Sequence, residues 1–201
     1  MSLDQPQLPA IVQTGTAVLR ARATEVEPTR ITTPQSQDFF ALMTDIMRAA
    51  PGVGLAAPQI GVPLRVIVLE DRDESIANLT PEECAERLRE PFPARVIVNP
   101  VLRVIGDERV TFFEGCLSVD GFAALVERAA EVEVTGLDDH AQPITWRVRG
   151  WPARILQHEV DHLDGTLYID RMFTRSFTTV ALARDRFAGK SMAEVRAMLG
   201  V

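Results

Sequence analysis

The chain has 201 residues, 46% hydrophobic and 24% charged, with a formal net charge of −7. This length fits one domain with a substantial core, and no apolar run approaches the ~18 residues that a membrane-spanning helix needs. The acidic balance, with Lys190 as the only lysine, disfavours general or sequence-specific nucleic-acid binding, because phosphate binding needs clustered basic side chains.

The start of the chain and its cysteines predict a compartment. Residues 1–15 have neither the basic region and apolar core of a secretory signal nor the composition of a transit peptide. Cys84 and Cys116 are too few for a disulfide framework and fit a reducing compartment. We therefore expect a cytoplasmic protein with free thiols and no membrane contact.

In chain order, the first predicted element is a helix over 35–50, where apolar residues recur at helical spacing and Ser36 can cap the first turn. Residues 51–63 are rich in Gly and Pro and predict a loop, which leads into an apolar strand over 64–70. A capping-box pattern that begins at Thr80 then predicts a short surface helix.

The middle of the chain predicts antiparallel strands, because apolar stretches alternate with turn signals. These stretches cover 94–106, 109–119, 124–138 and 143–150. Helical periodicity then returns until Gly165, a natural stop, and a last short helix is predicted at 191–200. We predict one domain over 1–201, with 1–10 and 176–201 as peripheral tails.

The penultimate predicted helix carries a candidate metal site. In QHEVDH, residues 157–162, the spacing of His158 and His162 puts both imidazoles on one helix face with Glu159 beside them. Such a pair also occurs on solvated helix surfaces. Apolar neighbours such as Leu156 disfavour that alternative here.

A catalytic site of this kind needs a third protein ligand and an open position for water. His140 lies in an acidic, turn-like stretch and Cys84 on the predicted surface helix, so neither is favoured. Cys116 follows an apolar strand beside Gly115, where irregular backbone can present a thiolate. The alternative for Cys116 is a small buried apolar residue. Beside the His pair, a Cys/His/His site is the better interpretation.

Two further polar residues fit catalysis at such a site. Glu159 cannot easily ligate the same ion as its flanking histidines, but it can reach a water there and act as general base and then general acid. The alternative is a solvated helix glutamate. Gln59, in the Gly- and Pro-rich loop, can donate a hydrogen bond to a reacting carbonyl, although composition alone predicts only a tight turn. Asp161 faces another side of the helix and suits structural hydrogen bonds.

Three segments together resemble the peptide deformylase family: GVGLAAPQIG at 52–61, EGCLS at 114–118 and QHEVDH at 157–162. The similarity extends over about residues 10–175. It implies an α+β fold with antiparallel β-sheets around a central metal-binding helix that carries the His-Glu-x-x-His motif. It also implies a hydrolase that removes the N-formyl group from the N-terminal formylmethionine of nascent polypeptides and releases formate.

The resemblance also implies the residues of the site. The ligands of one divalent ion, usually Fe2+ with Zn2+, Ni2+ or Co2+ able to substitute, would be Cys116, His158 and His162. Glu159 would take a proton from the attacking water, while the amide of Gln59 and the backbone N–H of Leu117 would hold the oxyanion. The residues implied to contact substrate along the peptide backbone are Val53, Gly54, Glu114 and Gly115. Because Trp151, Arg154 and Ile155 precede the metal-binding residues by less than two turns, we expect some of them to line the methionine pocket.

The sequence departs from the commonest bacterial pattern at Asp120, where proline is usual. This feature, with the GF pair at 121–122, is more similar to the branch that includes plant and animal organellar enzymes. A residue other than proline has a backbone N–H and a less restricted φ. We therefore expect the loop near the substrate to differ from the bacterial norm.

The partners implied by the resemblance are formylmethionyl nascent peptides and, transiently, the ribosome. Some family members use a C-terminal helix for ribosome docking. Residues 176–201 mix Arg184 and Arg186 with Asp185 and Glu194, which disfavours docking through this tail.

Two other functions share part of the pattern. A zinc endopeptidase with the His-Glu-x-x-His motif would use a distant Glu or a later His as third ligand, and HEVDHLDGTLYID lacks that extended pattern. A non-catalytic metal-binding module would need neither Glu159 nor Gln59.

Overall fold

The computed structural model describes residues 8–50, 52–77 and 79–201, so most of the predicted N-terminal tail lies outside the described residues. The helices are α1 (Pro28–Ile31), α2 (Pro34–Ala49), α3 (Asp73–Ile76), α4 (Pro81–Arg87), α5 (Trp151–Leu163), α6 (Val180–Phe187) and α7 (Met192–Leu199). The strands are β1 (Gly54–Ala56), β2 (Val66–Asp71), β3 (Phe92–Val104), β4 (Arg109–Cys116), β5 (Val119–Ala129), β6 (Glu131–Leu137), β7 (Pro143–Arg149) and β8 (Thr178–Thr179).

Within the described residues, the strands form two antiparallel sheets. One has the order β1-β2-β3-β6-β7 and the other the order β4-β5-β8. Helix α5 contacts strands of both sheets and therefore lies at the centre of the fold. The predicted α+β fold with antiparallel sheets around a central helix is confirmed. Strands β1 and β4 are edge strands, so each has one side that pairs with no other strand in the described part of the chain.

Helix α2 begins one turn earlier than Ser36 suggested. Its N-cap is Thr33, whose hydroxyl accepts a hydrogen bond from the backbone N–H of Ser36 at 3.4 Å. Pro34 follows at the first helical position, where its fixed φ and missing N–H cost nothing. The predicted cap at Ser36 is therefore wrong, because Pro34 suits the first helical position and makes Thr33 the cap.

The predicted loop 51–63 contains short structure that periodicity could not reveal. Strand β1 has three residues, and a 3-10 helix over Ala57–Ile60 follows it directly. Helices α3 and α6 were likewise not predicted. The capping box at Thr80 is confirmed at the start of α4, and so is the predicted helix near the C-terminus, α7.

The packing of α5 fixes the position of its polar face. Leu156 and Leu163 are fully buried, and burying each leucine side chain contributes about 2 kcal/mol. Gly165 ends the segment with a φ of +74°, and a Cβ there would lie 2.7 Å from the carbonyl oxygen of Arg20. The helix is thereby packed on its apolar side, and it ends at a glycine that no other residue can replace without strain.

The C-terminal segment packs on the smaller sheet. Strand β8 pairs with β5, and Phe187 and Val195 are buried in a cluster with Leu125. Among the helices of the described residues, none is long and apolar enough to cross a membrane.

Candidate metal centre

Three potential ligands converge where β4 meets α5. His158 and His162 lie one turn apart on α5, and Cys116 is the last residue of β4, just after a register shift in its pairing with β5. The Sγ of Cys116 lies 3.2 Å from Nε2 of His162. One ligand atom from each of the three residues lies within 4.8 Å of the others. The structure therefore brings the three predicted ligands into one cluster.

Glu114 orients the imidazole of His158. Its Oε2 lies 3.0 Å from Nδ1 of His158, which leaves Nε2 to face the cluster. Arg128 donates to both oxygens of Glu114, at 3.0 and 2.9 Å, and Arg154 donates to Oε1. Burial opposes ionisation of Glu114, but the hydrogen bonds from His158 and Arg128 outweigh it and lower the pKa of the carboxyl. Glu114 is thus a buried carboxylate behind the site.

The chemistry of the donors fits a divalent cation. Burial, together with the positive charge of His158, lowers the pKa of His162 and keeps that imidazole neutral, as a ligand must be. Burial tends to lower the pKa of His158, but the interactions with Cys116 and Glu114 outweigh it and raise the pKa, so this imidazole must lose a proton when a cation binds. A thiolate and two imidazoles suit zinc, iron, nickel or cobalt.

Glu159 is buried beside the cluster in close contact with β1. It is 4% exposed, and its Oε2 has no hydrogen-bond partner in the described structure. Burial raises the pKa of Glu159 to about 7, with the charge of His158 opposing the shift. A carboxyl with a pKa near neutrality can both accept and donate a proton. A Cβ on Gly54 would lie 2.3 Å from Oε1 of Glu159, so only glycine leaves room for it.

Gln59 presents its amide nitrogen to the cluster. Its Oε1 accepts the backbone N–H of Ala56 at 2.8 Å, which fixes the orientation of the amide. Its Nε2 therefore faces Cys116 Sγ at 3.6 Å and Ser118 Oγ at 3.4 Å. Gln59 is 1% exposed, so its amide nitrogen is buried and cannot rotate toward solvent.

The residues predicted to bind the peptide backbone lie at two free strand edges. Gly54 is on edge strand β1, preceded by Val53, and Gly115 is on edge strand β4. The two segments approach each other, because a Cβ on Gly52 would lie 3.0 Å from Cδ1 of Leu117. Such edges can pair with an added strand. Glu114 differs, since its side chain points inward to His158.

The three residues predicted for the methionine pocket separate into two groups. Trp151 and Ile155 belong to the apolar cluster that also contains Val53. Arg154 is 3% exposed, and its guanidinium donates to Glu114 and to the backbone oxygens of Val126 and Val110. That Trp151 and Ile155 line this pocket stays a prediction. The guanidinium of Arg154 instead donates its hydrogen bonds to groups inside the protein.

The two rejected ligand candidates lie outside the cluster. The side chain of His140 is 74% exposed and lies near Asp139. Cys84 is a free cysteine on α4, and it is not part of the Cys/His/His group.

Sequence reasoning missed Arg128, Tyr168 and Gln13. Arg128 and Glu114 occupy inward positions on the same face of paired strands β4 and β5, and opposite charges at buried strand positions were the available signal. The ring of Tyr168 stacks on His158 with centroids 6.3 Å apart, which no sequence pattern indicated. Gln13 donates to the carbonyl of Leu117 at 2.9 Å and accepts from the N–H of Asp120 at 3.3 Å.

An α+β fold whose central helix carries two histidines and a buried glutamate, completed by a cysteine, defines the class of His-Glu-x-x-His metalloproteins. The chain belongs to the polypeptide deformylase family, whose model matches residues 8–177. It is 54% identical to peptide deformylase 1A, chloroplastic/mitochondrial, of Arabidopsis thaliana over 86% of this chain. It is 44% identical to the human mitochondrial peptide deformylase over 88% of this chain and 72% of the human one.

The similarity to plant and animal enzymes that Asp120 indicated is therefore confirmed. This chain spans 64% of the Arabidopsis protein and 62% of a chloroplastic relative from Solanum lycopersicum. Among solved structures, a class I type b peptide deformylase from Acinetobacter baumannii with Met-Ala-Ser bound matches with a TM-score of 0.74 and 31% identity, over 84% of this chain and 100% of that one.

Proposed function

We propose that this protein is a metal-dependent hydrolase that removes the formyl group from the N-terminal formylmethionine of nascent polypeptides and releases formate. The observation that carries the proposal is the placement of Gln59 and Glu159 at a Cys/His/His cluster. Membership of the deformylase family supports it. The related Acinetobacter protein binds Met-Ala-Ser, a peptide that begins with methionine.

We propose Cys116, His158 and His162 as the ligands of one divalent cation. When bound, such a cation supplies Lewis-acid chemistry, polarising the formyl oxygen and lowering the pKa of the attacking water. We propose Fe2+ as the native ion on the family resemblance, with Zn2+, Ni2+ or Co2+ as substitutes that the same donors accept. A thiolate ligand requires reduced cysteine, which supports a reducing compartment such as the cytoplasm.

Glu159 moves the proton in this reaction. It takes a proton from the water whose oxygen attacks the formyl carbon, and it gives that proton to the amide nitrogen as the C–N bond breaks. Its raised pKa, about 7, suits both steps at neutral pH. The products are formate and a free methionine amine.

Gln59 and Leu117 stabilise the charge that develops on the formyl oxygen. The amide nitrogen of Gln59 is already oriented by Ala56, so no reorganisation is needed during the reaction. The backbone N–H of Leu117 is the second proposed donor, in a turn that Gln13 ties at both ends.

The substrate backbone is proposed to add as a strand between the edges at Val53–Gly54 and Gly115. Methionine would enter the apolar region next to Trp151 and Ile155, which pack with Val53. Contact with the ribosome during translation is proposed on the family resemblance alone.

The direct test is formate release from formyl-Met-Ala-Ser by protein purified anaerobically, with metal content measured in the same sample. We expect formate in step with bound metal, and a free amine on methionine. Metal-loaded protein that releases no formate but cleaves internal peptide bonds would favour the zinc endopeptidase. Metal-loaded protein that does neither would favour a non-catalytic binding module.

A further inference from the structure

Asp161 lies on the metal-binding helix and joins two arginines. Its Oδ2 accepts from Nη1 of Arg128 and from Nε of Arg171, and its Oδ1 accepts from Nη2 of Arg171 at 2.7 Å. Arg128 is the same residue that donates to both oxygens of Glu114, which in turn binds His158. A continuous chain of charge-assisted hydrogen bonds thus runs from Arg171 to a proposed metal ligand.

We propose that Asp161 and Arg171 are positioning residues of the metal centre, which act through Arg128 and Glu114 to hold His158 in its cation-binding orientation. The inference rests on the metal assignment of the proposed function. It adds two residues that touch neither the cation nor the substrate.

The chain of hydrogen bonds is buried except at its outer end, which is Arg171. The side chains of Arg128 and Glu114 are 3% and 4% exposed, and that of Asp161 is 12% exposed. The side chain of Arg171 is 48% exposed. Water therefore screens the charges of the buried side chains poorly. A change at Arg171 then alters the strength of the hydrogen bonds further along this path.

Two carboxylates compete for Arg128, and this competition determines how the loss of Arg171 affects His158. Arg128 is shared between the carboxylates of Glu114 and Asp161. Arg171 satisfies both oxygens of Asp161 from the other side. Without Arg171, Asp161 attracts Arg128 more strongly, the bonds from Arg128 to Glu114 weaken, and Glu114 holds His158 less firmly.

A second route from Arg171 reaches the same imidazole. Arg171 directly follows the 3-10 helix Tyr168–Asp170. The ring of Tyr168 stacks on that of His158, with an interplanar angle of 19°. The ion pair between Arg171 and Asp161 therefore also holds the segment that packs against His158.

The protein also contains a matched control for the pair of Arg171 and Asp161. Arg48 forms a bidentate pair with Glu70 at 2.7 and 2.8 Å, and Arg171 pairs with Asp161 at 2.6 and 2.7 Å. The side-chain exposures are also alike, 42% and 9% for Arg48 and Glu70 against 48% and 12% for Arg171 and Asp161. The pairs differ in that the Arg48 pair has no hydrogen-bonded path to His158 among the contacts of the described residues.

The test measures zinc affinity by competition with a chromogenic chelator, for the parent protein and for Arg171→Ala, Arg171→Lys and Arg48→Ala. We expect Arg171→Ala to weaken zinc binding by about 3- to 10-fold, less than the 10- to 100-fold typical of a residue that touches the ligand directly. Arg171→Lys should fall between this variant and the parent, and Arg48→Ala should stay within about twofold of the parent.

A second readout separates positioning from general stability. The absorption bands of the Co2+-loaded protein should shift in Arg171→Ala and not in Arg48→Ala, although both substitutions lower the melting temperature by similar amounts. Asp161→Asn, which keeps the shape of the side chain, should weaken zinc binding in the same direction as Arg171→Ala.

Equal zinc affinity in Arg171→Ala and Arg48→Ala, with unshifted cobalt bands, would overturn the positioning role. Formate release by the parent would be unaffected by that result, so the proposed activity would stand. A parent protein that binds no zinc or cobalt would overturn both the metal assignment and this inference.

Discussion

Glu159 and Gly54 are in such close contact that a methyl group on Gly54 would lie 2.3 Å from Oε1 of the glutamate. The strand edge proposed to bind the peptide backbone and the proposed general base are therefore built against each other. This contact explains why strand β1 begins with glycine. The φ of Gly54 is not positive, so space and not backbone conformation is the reason.

Gly54→Ala should displace the Glu159 carboxylate and lower the rate of formate release by about 100-fold, because misplacement of a catalytic group by an ångström has effects of that size. Metal content should stay unchanged. The double variant Gly54→Ala/Glu159→Ala should be no slower than Glu159→Ala alone, since the methyl acts through the glutamate. A double variant much slower than either single one would point to a separate effect on peptide binding.

Glu159→Ala should lower the rate of formate release by about 10²- to 10⁴-fold, the range for loss of a general acid–base residue. The fold and bound metal should remain, because Glu159 has no hydrogen-bond partner at Oε2 within the described residues. Kinetics with metal analysis on one preparation would check this. A near-normal rate would exclude the assigned role.

Cys116→Ala should lose the ion, because two imidazoles alone hold a divalent cation weakly. Cys84→Ser is the control, since Cys84 lies on α4 outside the cluster, and it should change neither metal content nor rate. Elemental analysis after gel filtration gives the comparison. One equivalent of metal in Cys116→Ala would require a different third ligand.

Gln59→Glu tests the proposed oxyanion donor while keeping an oxygen for the N–H of Ala56. The variant cannot donate from an ionised carboxylate, and kcat should fall by about 10²- to 10³-fold, as for other single oxyanion donors. KM for the formyl peptide should change less than kcat. If KM rises and kcat is preserved, Gln59 binds the ground state and does not act on the transition state.

Gln13 and Asp120 should stabilise the turn at Leu117 together. Gln13→Ala removes the bond to the carbonyl of Leu117 and the bond from the N–H of Asp120, and we expect a loss of about 1 kcal/mol in the free energy of unfolding. Asp120→Pro removes only the second bond. Urea unfolding of both single variants and the double variant should show non-additive losses, whereas simple addition would mean that the two residues act independently.

Much of the secondary structure follows from local pattern. The capping box at Thr80 and the apolar periodicity before Gly165 correspond to α4 and α5, because these signals depend on residues within one or two turns. The predicted cap at Ser36 is wrong for a local reason as well, since Thr33 takes the cap position and Pro34 follows it at the first helical position. Strand β1 has too few residues for any period to be read.

The direction of the Glu114 side chain is a feature that local sequence pattern does not predict. The sequence places Glu114 two residues before Cys116, and the resemblance implies a contact with the substrate backbone. Its carboxylate is buried, with Oε2 3.0 Å from Nδ1 of His158. Its direction depends on the pairing of β4 with β5 and on the packing of α5 against that sheet. A charged side chain in this position is stable because Arg128 and Arg154 neutralise it.

By itself, the sequence determined that His158, Glu159 and His162 share one end of an amphipathic helix, because helix geometry fixes the relation of residues one turn apart. It also favoured Cys116 as the third ligand over His140 and Cys84. Only the tertiary structure decided that the thiol reaches the imidazoles, with Sγ 3.2 Å from Nε2 of His162. That contact joins a strand to a distant helix, and such proximity depends on sheet register and core packing, which no local spacing encodes.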